Sequence, residues 1–494
     1  MTRKLLTKIS LFAVLLISFS GHAQTVSELS DRIDNLEIAN ALQKIKWRGL
    51  FETRYESFKR SSNNAELFHM KLPMYKVSLD ANARVSDKIN FYSRFTNSKI
   101  FNIQGQGLED GIGSFESIGG YSYGTDSVVR VEKAYIDYSM TNWMIWSLGR
   151  LPTVNGPPTH KWDGVSKQGT YPILSYSSTL DGVGATFKLN QWMPTGYNLA
   201  LRFLSQPIKS AFFTPGGATF GPFWTPAYTN GTSKNKTQTS NVYVAMIEGS
   251  TNKFTSVADE IGLIGQYLKA KDLDASADTE VCYGPSFATT SYPSGKCPQV
   301  DYTGANTGIL RYDGNTAMWD YSTAVMHMYL DNIANLGLDF NFTYIRSDVH
   351  SRGFTDLSAI SKLSAANGQK RGVLTDSTTS DHKTGEGLNF MVRYKIPFEF
   401  LKNPFIGVEG LKTSRYYIFA GIAREDPTNW HGTMGEAWHM WYNQEIYGNL
   451  RLRLGYRKQI DKWAGFAGAT NLYGDRTRQN IKTETVYAKL RLDF

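Results

Sequence analysis

The chain has 494 residues, 41% of them hydrophobic, and a formal net charge of +9; its mean hydropathy is −0.35. Beyond residue 23 no stretch approaches the roughly 18 consecutive apolar residues of a membrane-crossing helix, so a helical membrane protein is excluded. The basic residues are spread without a block, which speaks against a nucleic-acid partner.

Arg3, Lys4 and Lys8 precede an apolar run from Ile9 to Phe19 and a small-x-small tripeptide, Gly21-His22-Ala23. This predicts a secretory signal peptide over residues 1–23, too short and too N-terminal for a spanning helix. From residue 24 to 46 the spacing changes. Val26, Leu29, Ile33 and Leu36 lie three and four apart, and Leu42 and Ile45 complete a second stripe. The spacing predicts a short amphipathic periplasmic helix. A helix of this length is marginal alone. Two uses stay open: a coiled coil joining a homo-oligomer, with Asn40 setting the register, or a plug for its own barrel.

From residue 47 to 494 the period becomes two, as in strands with one apolar and one wet face. Phe51, Thr53 and Tyr55 alternate with Glu52, Arg54 and Glu56, and Val183, Ala185 and Phe187 with Gly184, Thr186 and Lys188. The same reading holds for Leu338, Phe340 and Phe342 against Asp339, Asn341 and Thr343, and for Leu388, Phe390 and Val392 against Asn389, Met391 and Arg393. Short turns such as Ser86-Asp87, Thr141-Asn142 and Asp331-Asn332 alternate with long stretches at 97–127, 151–180, 206–240, 271–318 and 347–385. About sixteen strands, in a range of roughly fourteen to eighteen, with turns that alternate short and long predict an all-β transmembrane antiparallel barrel over residues 47–494. The 28 Tyr, 27 Phe and 11 Trp suit aromatic girdles at the two membrane interfaces.

A strand ending at Arg150 runs into Leu151-Pro152-Thr153-Val154-Asn155-Gly156-Pro157-Pro158-Thr159-His160-Lys161-Trp162-Asp163. The three prolines stiffen the segment and remove donors, which suits a loop leaving the wall. Arg150 is placed at the wall, with His160, Lys161 and Asp163 as candidates for a constriction; a loop that merely covers the outer mouth is the other reading. Alternation puts Lys188, Arg202, Arg393, Lys395, Arg451, Arg453, Lys489 and Arg491 on the lumen face, which is expected to be polar and charged throughout. A ring of cations there favours anions; lumen charges simply paired with acidic partners such as Glu52, Glu132 and Asp339 are the other reading. Cys282 and Cys297 lie in one Gly/Ser/Tyr/Pro-rich stretch, and in an exported chain such a local pair predicts a disulfide closing a loop, with free thiols or a shared metal as the alternatives.

The last strand alternates Val486, Ala488, Leu490, Leu492 and Phe494 with Tyr487, Lys489, Arg491 and Asp493. This ending resembles that of Gram-negative outer-membrane β-barrels, whose final aromatic residue is recognised by the barrel-assembly machinery; the resemblance implies that role for Phe494. The Gly149-Arg150 strand end and the Pro-rich segment after it resemble porins and, more closely, a poorly characterised porin-like family with a G-R-x-P-T-x-x-G-P-P stretch. The expectation is a passive porin channel of the Gram-negative outer membrane for small hydrophilic solutes. Its partners are lipid, the assembly machinery and copies of itself in a trimer, with no cofactor, no metal and no catalytic residue. A surface-binding barrel and a transporter of hydrophobic substrates are the rivals. A transporter calls for apolar lumen positions. No H-E-x-x-H, G-x-S-x-G or phosphate-loop pattern occurs, and the neighbourhood of Glu436 and His439 (Trp438, Trp441, Tyr442) reads as an aromatic belt.

Overall fold

The computed structural model describes residues 45–63, 65–100, 129–167, 169–177, 181–209, 239–276, 281–283, 308–310, 316–354, 374–375, 380–398, 400–419, 428–464 and 476–494. The strands are β1 (Ile45–Ser62), β2 (Ala65–Arg84), β3 (Ile89–Ile100), β4 (Arg130–Ser139), β5 (Met144–Arg150), β6 (Asp181–Lys188), β7 (Tyr197–Lys209), β8 (Thr239–Thr251) and β9 (Glu260–Ser276). They continue as β10 (Val281–Tyr283), β11 (Gly308–Leu310), β12 (Thr316–Ile333), β13 (Leu338–Phe354), β14 (Asp381–Lys395), β15 (Lys402–Thr413), β16 (Gly435–Tyr447), β17 (Leu450–Ala464) and β18 (Thr477–Asp493). β10 and β11 pair with each other, and the remaining sixteen strands form a closed antiparallel barrel in which β1 meets both β2 and β18. Closure leaves no strand edge unpaired, the condition for backbone polar groups to enter lipid. No described helix is long and apolar enough to cross a membrane.

Ile45 and Lys46, read from sequence as the end of the helix, are the first residues of β1. The signal peptide, the rest of the predicted helix and Cys297 lie outside the described residues. The two faces are cleanest in β18. Val486, Leu490, Leu492 and Phe494 are 60, 37, 37 and 67% exposed, whereas Tyr487, Lys489 and Arg491 between them are 2, 1 and 7% exposed. The apolar row therefore faces outward and the polar row inward, as alternation requires. β1 repeats the pattern: Phe51 and Tyr55 are exposed while Glu52, Arg54 and Glu56 are buried. Its register pairs Glu52 with Arg491 and Arg54 with Lys489, which closes the ring, and Gly49 exchanges two backbone hydrogen bonds with Phe494.

The expectation of a lumen polar throughout needs correction. The inward rows of β7, β8, β9 and β12 carry Leu204, Val242, Val244, Met246, Ile264, Leu268, Trp319 and Tyr321, and all are buried. Leu151, Tyr171, Tyr176 and Ile418 from the connecting segments pack on them in one apolar cluster. A second cluster joins Ile173 and Leu174 to Val325, Ile345, Leu411, Tyr417, Phe419 and Trp430. The apolar surface is removed from water by chain, as in a globular core. The opposite part of the wall keeps the charged lumen, with Arg94 Nε and Nη2 donating to the two carboxylate oxygens of Asp80 at 2.7 and 2.8 Å.

Candidate functional site

β5 and β6 are short, 7 and 8 residues against 20 in β2. The wall is low there, so the chain between them leaves partway along the barrel and turns inside. The segment is stiffened locally. Thr159 Oγ1 donates to the carbonyl of Gly156 at 2.8 Å, and Ile173 N donates to that of Pro157 at 2.9 Å. A single helical turn, His160–Asp163, ends at Gly164, whose φ of +62° is left-handed. A Cβ on Gly164 would also stand 2.8 Å from the Phe405 ring, so backbone geometry and close approach both require glycine.

That turn is held at the far wall. β15 lies eight strands from β5 in either direction around the ring, yet Trp162 Nε1 donates to Glu409 Oε2 on β15 at 2.7 Å. Asn443 Nδ2 on β16 donates to the Trp162 carbonyl at 3.1 Å. Asp163 then meets three cations: Arg453 and Lys489 at 3.0 Å and Arg491 at 3.5 Å. Lys489 also lies 2.6 Å from Glu52. Lys161 lies 2.7 Å from Asp331 and 3.7 Å from Asp339, and Arg393 pairs with Asp339 while donating to the Lys161 carbonyl at 3.3 Å. The segment therefore spans the lumen and is fastened by charge on the side opposite its origin.

The fastening point continues into a buried polar network. Glu409 accepts from Asn389 Nδ2 at 2.8 Å, and His431 and His439 approach it at 3.4 and 3.8 Å. His439 in turn hydrogen-bonds the Tyr487 hydroxyl at 2.6 Å. Trp162 stacks parallel on His431, with centroids 5.6 Å apart and planes at 8°, and meets His439 edge-on. The guanidinium of Arg453 lies over the rings of Trp162 and Tyr487. Of the residues read as an aromatic belt, Trp438 does face outward, but Trp441 is buried inside, as is His439 beside it. Among the described residues no group of three or more His, Cys, Asp or Glu is arranged to hold a metal ion.

Below the segment, toward the short turns, is a cavity of about 410 Å³. Lys161, Lys167, Lys188 and Arg202 line it together with Glu248, Glu260 and Asp331. Lys167 reaches Glu248 at 2.6 Å, and Arg202 also pairs with Glu248. His160 faces this cavity with His327. Burial, reinforced by Lys161, Lys167 and Arg393, pushes the His160 imidazole well below its ordinary value, so the ring is neutral.

The structure thus brings Lys161, Asp163, Arg393, Arg453 and Arg491 together on the inward segment and its anchor, and gathers His160, Lys188 and Arg202 at the cavity. Arg451 sits apart on β17, 3.5 Å from Asp493. Arg150 does not join either group. It falls in the register row of the exposed Trp146 and Leu148, bonds Asp181 at 2.9 and 3.1 Å and donates to the Val131 carbonyl at 2.8 Å. Sequence reasoning misses Trp162, Glu409, His431 and His439. An aromatic next to Asp163 is visible in the sequence, but its partner on β15 is 247 residues away.

Burial alone would raise the Asp163 carboxyl; Arg453, Lys489 and Arg491 overcome it and hold the group well below the ordinary carboxylate range. A depressed folded-state value stabilises the charged pair above the unfolded value and loses that contribution only as pH falls through the folded one. The fastening is therefore expected to persist down to about pH 4, the unfolded carboxylate value. Limited proteolysis of residues 151–177 in detergent across pH 8 to 4 checks this, and cleavage appearing near pH 6 contradicts it.

A family model described as "Protein of unknown function (DUF3373)" matches residues 61–201, which include the inward segment. No curated protein matches the chain. Among solved structures it is similar to the Salmonella typhi OmpF complex with daunomycin, at 9% identity and a TM-score of 0.44, covering 92% of this chain and 99% of that one. It is similar also to an anion-selective porin from Comamonas acidovorans, at 8% identity and a TM-score of 0.44, over 91% and 99% of the two chains. OmpT, an outer membrane protein of Vibrio cholerae, matches at 8% identity with a TM-score of 0.41, over 91% and 97%.

Proposed function

We propose that this chain is a passive channel of the Gram-negative outer membrane that passes small hydrophilic solutes through a lumen narrowed by residues 151–177. The single observation that carries the reading is the segment crossing from β5 to the opposite wall, where Trp162 and Asp163 are held. A barrel built only to present loops has no use for a charged strap inside its wall. The cavity below is polar and water-compatible, and its bound charge is fixed in ion pairs, so solutes meet a patterned field. Selection is by size and charge with no covalent step. A slight anion preference follows from four cations against three carboxylates on the cavity wall, and their pairing keeps it small.

Export through the signal peptide, recognition of Phe494 by the assembly machinery and a trimeric state belong to the same reading. The apolar cluster on β7–β12 favours the hydrophobic-substrate transporter more than the sequence does. Its inner surface, however, is covered by Leu151, Tyr171 and Tyr176, leaving the polar cavity as the described space for solute. Purified protein in planar bilayers is expected to give stable steps proportional to salt, with a small reversal potential toward the chloride side in a KCl gradient. Silence at all voltages, or a reversal potential near the cation limit, overturns the proposal.

A further inference from the structure

The outer face of the barrel carries a groove that lipid exposure alone does not call for. It runs over β1, β18, β17 and β16, with a volume of about 500 Å³, between Tyr55, Met440, Leu454, Tyr456, Val486 and Ala488. The floor is low at Ala488, which offers only a methyl in the outward row of β18 between Val486 and Leu490.

The rim above the groove is basic. Lys59 and Lys458 flank Glu484 in the ladder from either side, one on β1 and one on β17. Lys482, two residues up β18, comes within 2.9 Å of the same carboxylate. Tyr456, at the groove edge, donates its hydroxyl to Glu484 at 2.9 Å. Lys59 also pairs with Glu66, and Lys462 with Glu436, the register partner of Lys412. Five lysines therefore face three glutamates on this rim. The paired side chains are about half exposed. Two residues along a strand measure about 7 Å, so the ammonium groups begin about one such step above the groove, on the side of the long connections. An apolar slot with surplus cations at its upper end matches one kind of occupant: an acyl chain joined to a phosphate.

We propose that this face binds a phosphate-bearing anionic lipid, one chain in the groove and the phosphate on Lys59, Lys458 and Lys482. The inference rests on the outer rows facing lipid and not on conduction, so a silent channel would leave it standing. Glu484 acts as the positioning residue that holds the three ammonium groups together in the absence of lipid.

The test is native mass spectrometry of the purified barrel in neutral detergent, titrated with dioleoylphosphatidylglycerol or with dioleoylphosphatidylcholine. Retention of the anionic lipid is expected to exceed that of the zwitterionic one by about tenfold or more. Lys59→Gln with Lys458→Gln and Lys482→Gln should bring it down to the zwitterionic level, while Ala488→Trp, which fills the slot, should lower both. Heat-modifiable gel mobility shows which variants are folded. If the triple variant does not fold, Lys458→Gln alone decides, with a partial loss expected. Equal retention of the two lipids, or a preference unmoved by the lysine changes, overturns the proposal. So does efficient disulfide formation between copies of Ala488→Cys in membranes, which would make a second copy the occupant.

Discussion

Replacing Asp163 by Ala is expected to unfasten the inward segment and to raise single-channel conductance severalfold, with noisier steps. The carboxylate is the common partner of Arg453, Lys489 and Arg491. Its loss leaves Lys489 with Glu52 and Arg491 with Asp493, while Arg453, buried beside Trp162, loses its ion pair and keeps the two rings and the longer-range attraction of Glu52. Removing one partner from a buried ionic cluster costs about 3–5 kcal/mol, more than the hydrogen bond from Trp162 to Glu409, worth about 1.5–3 kcal/mol to a charged acceptor, can hold. Asp163→Asn, which keeps one acceptor, should fall between. Trp162→Phe should act in the same direction but less, because Glu409 retains Asn389. Lys395→Gln, on an exposed position near the short-turn end, is the control. Asp163→Ala with unchanged conductance and unchanged protease resistance of residues 151–177 would remove the strap from the explanation of the pore.

The second large effect concerns the wall itself. Leu490→Lys places a charge on an outward position 37% exposed at the centre of the apolar row Val486–Phe494, where a cation costs about 2–4 kcal/mol near the bilayer midplane. Ser250→Lys places the same charge on the cavity wall, where water is available and the expected change is within about 0.5 kcal/mol. Folding yield into lipid vesicles, read as the heat-modifiable band, should drop sharply for the first and barely for the second. Equal yields would mean that the exposed rows do not touch lipid, and the membrane reading of the barrel would go with them.

Much of the barrel is legible in the order of residues alone. In β18 every second residue is apolar, so the face of each side chain follows from position, and Lys489 and Arg491 are assigned inward correctly. The same rule fails for β8. Asn241-Val242-Tyr243-Val244-Ala245-Met246-Ile247 has apolar residues in both rows, so no alternation says which row is inside, and the burial of Val242, Val244 and Met246 leaves no local mark. Trp441 escapes the sequence for a related reason: a run of aromatics within a strand looks like an interfacial girdle whichever way each ring points. Arg150 shows the opposite limit, since one step of register decides between lumen and outer row.

By itself the sequence determined the two-faced strands, the approximate strand number and the stiff segment after β5. Each of these depends on backbone geometry that repeats within a few residues. Only the tertiary structure decided that the segment turns inward and that Trp162 meets Glu409. Those contacts exist because ring closure sets β5 opposite β15, and no local pattern records which strands will face each other across a barrel.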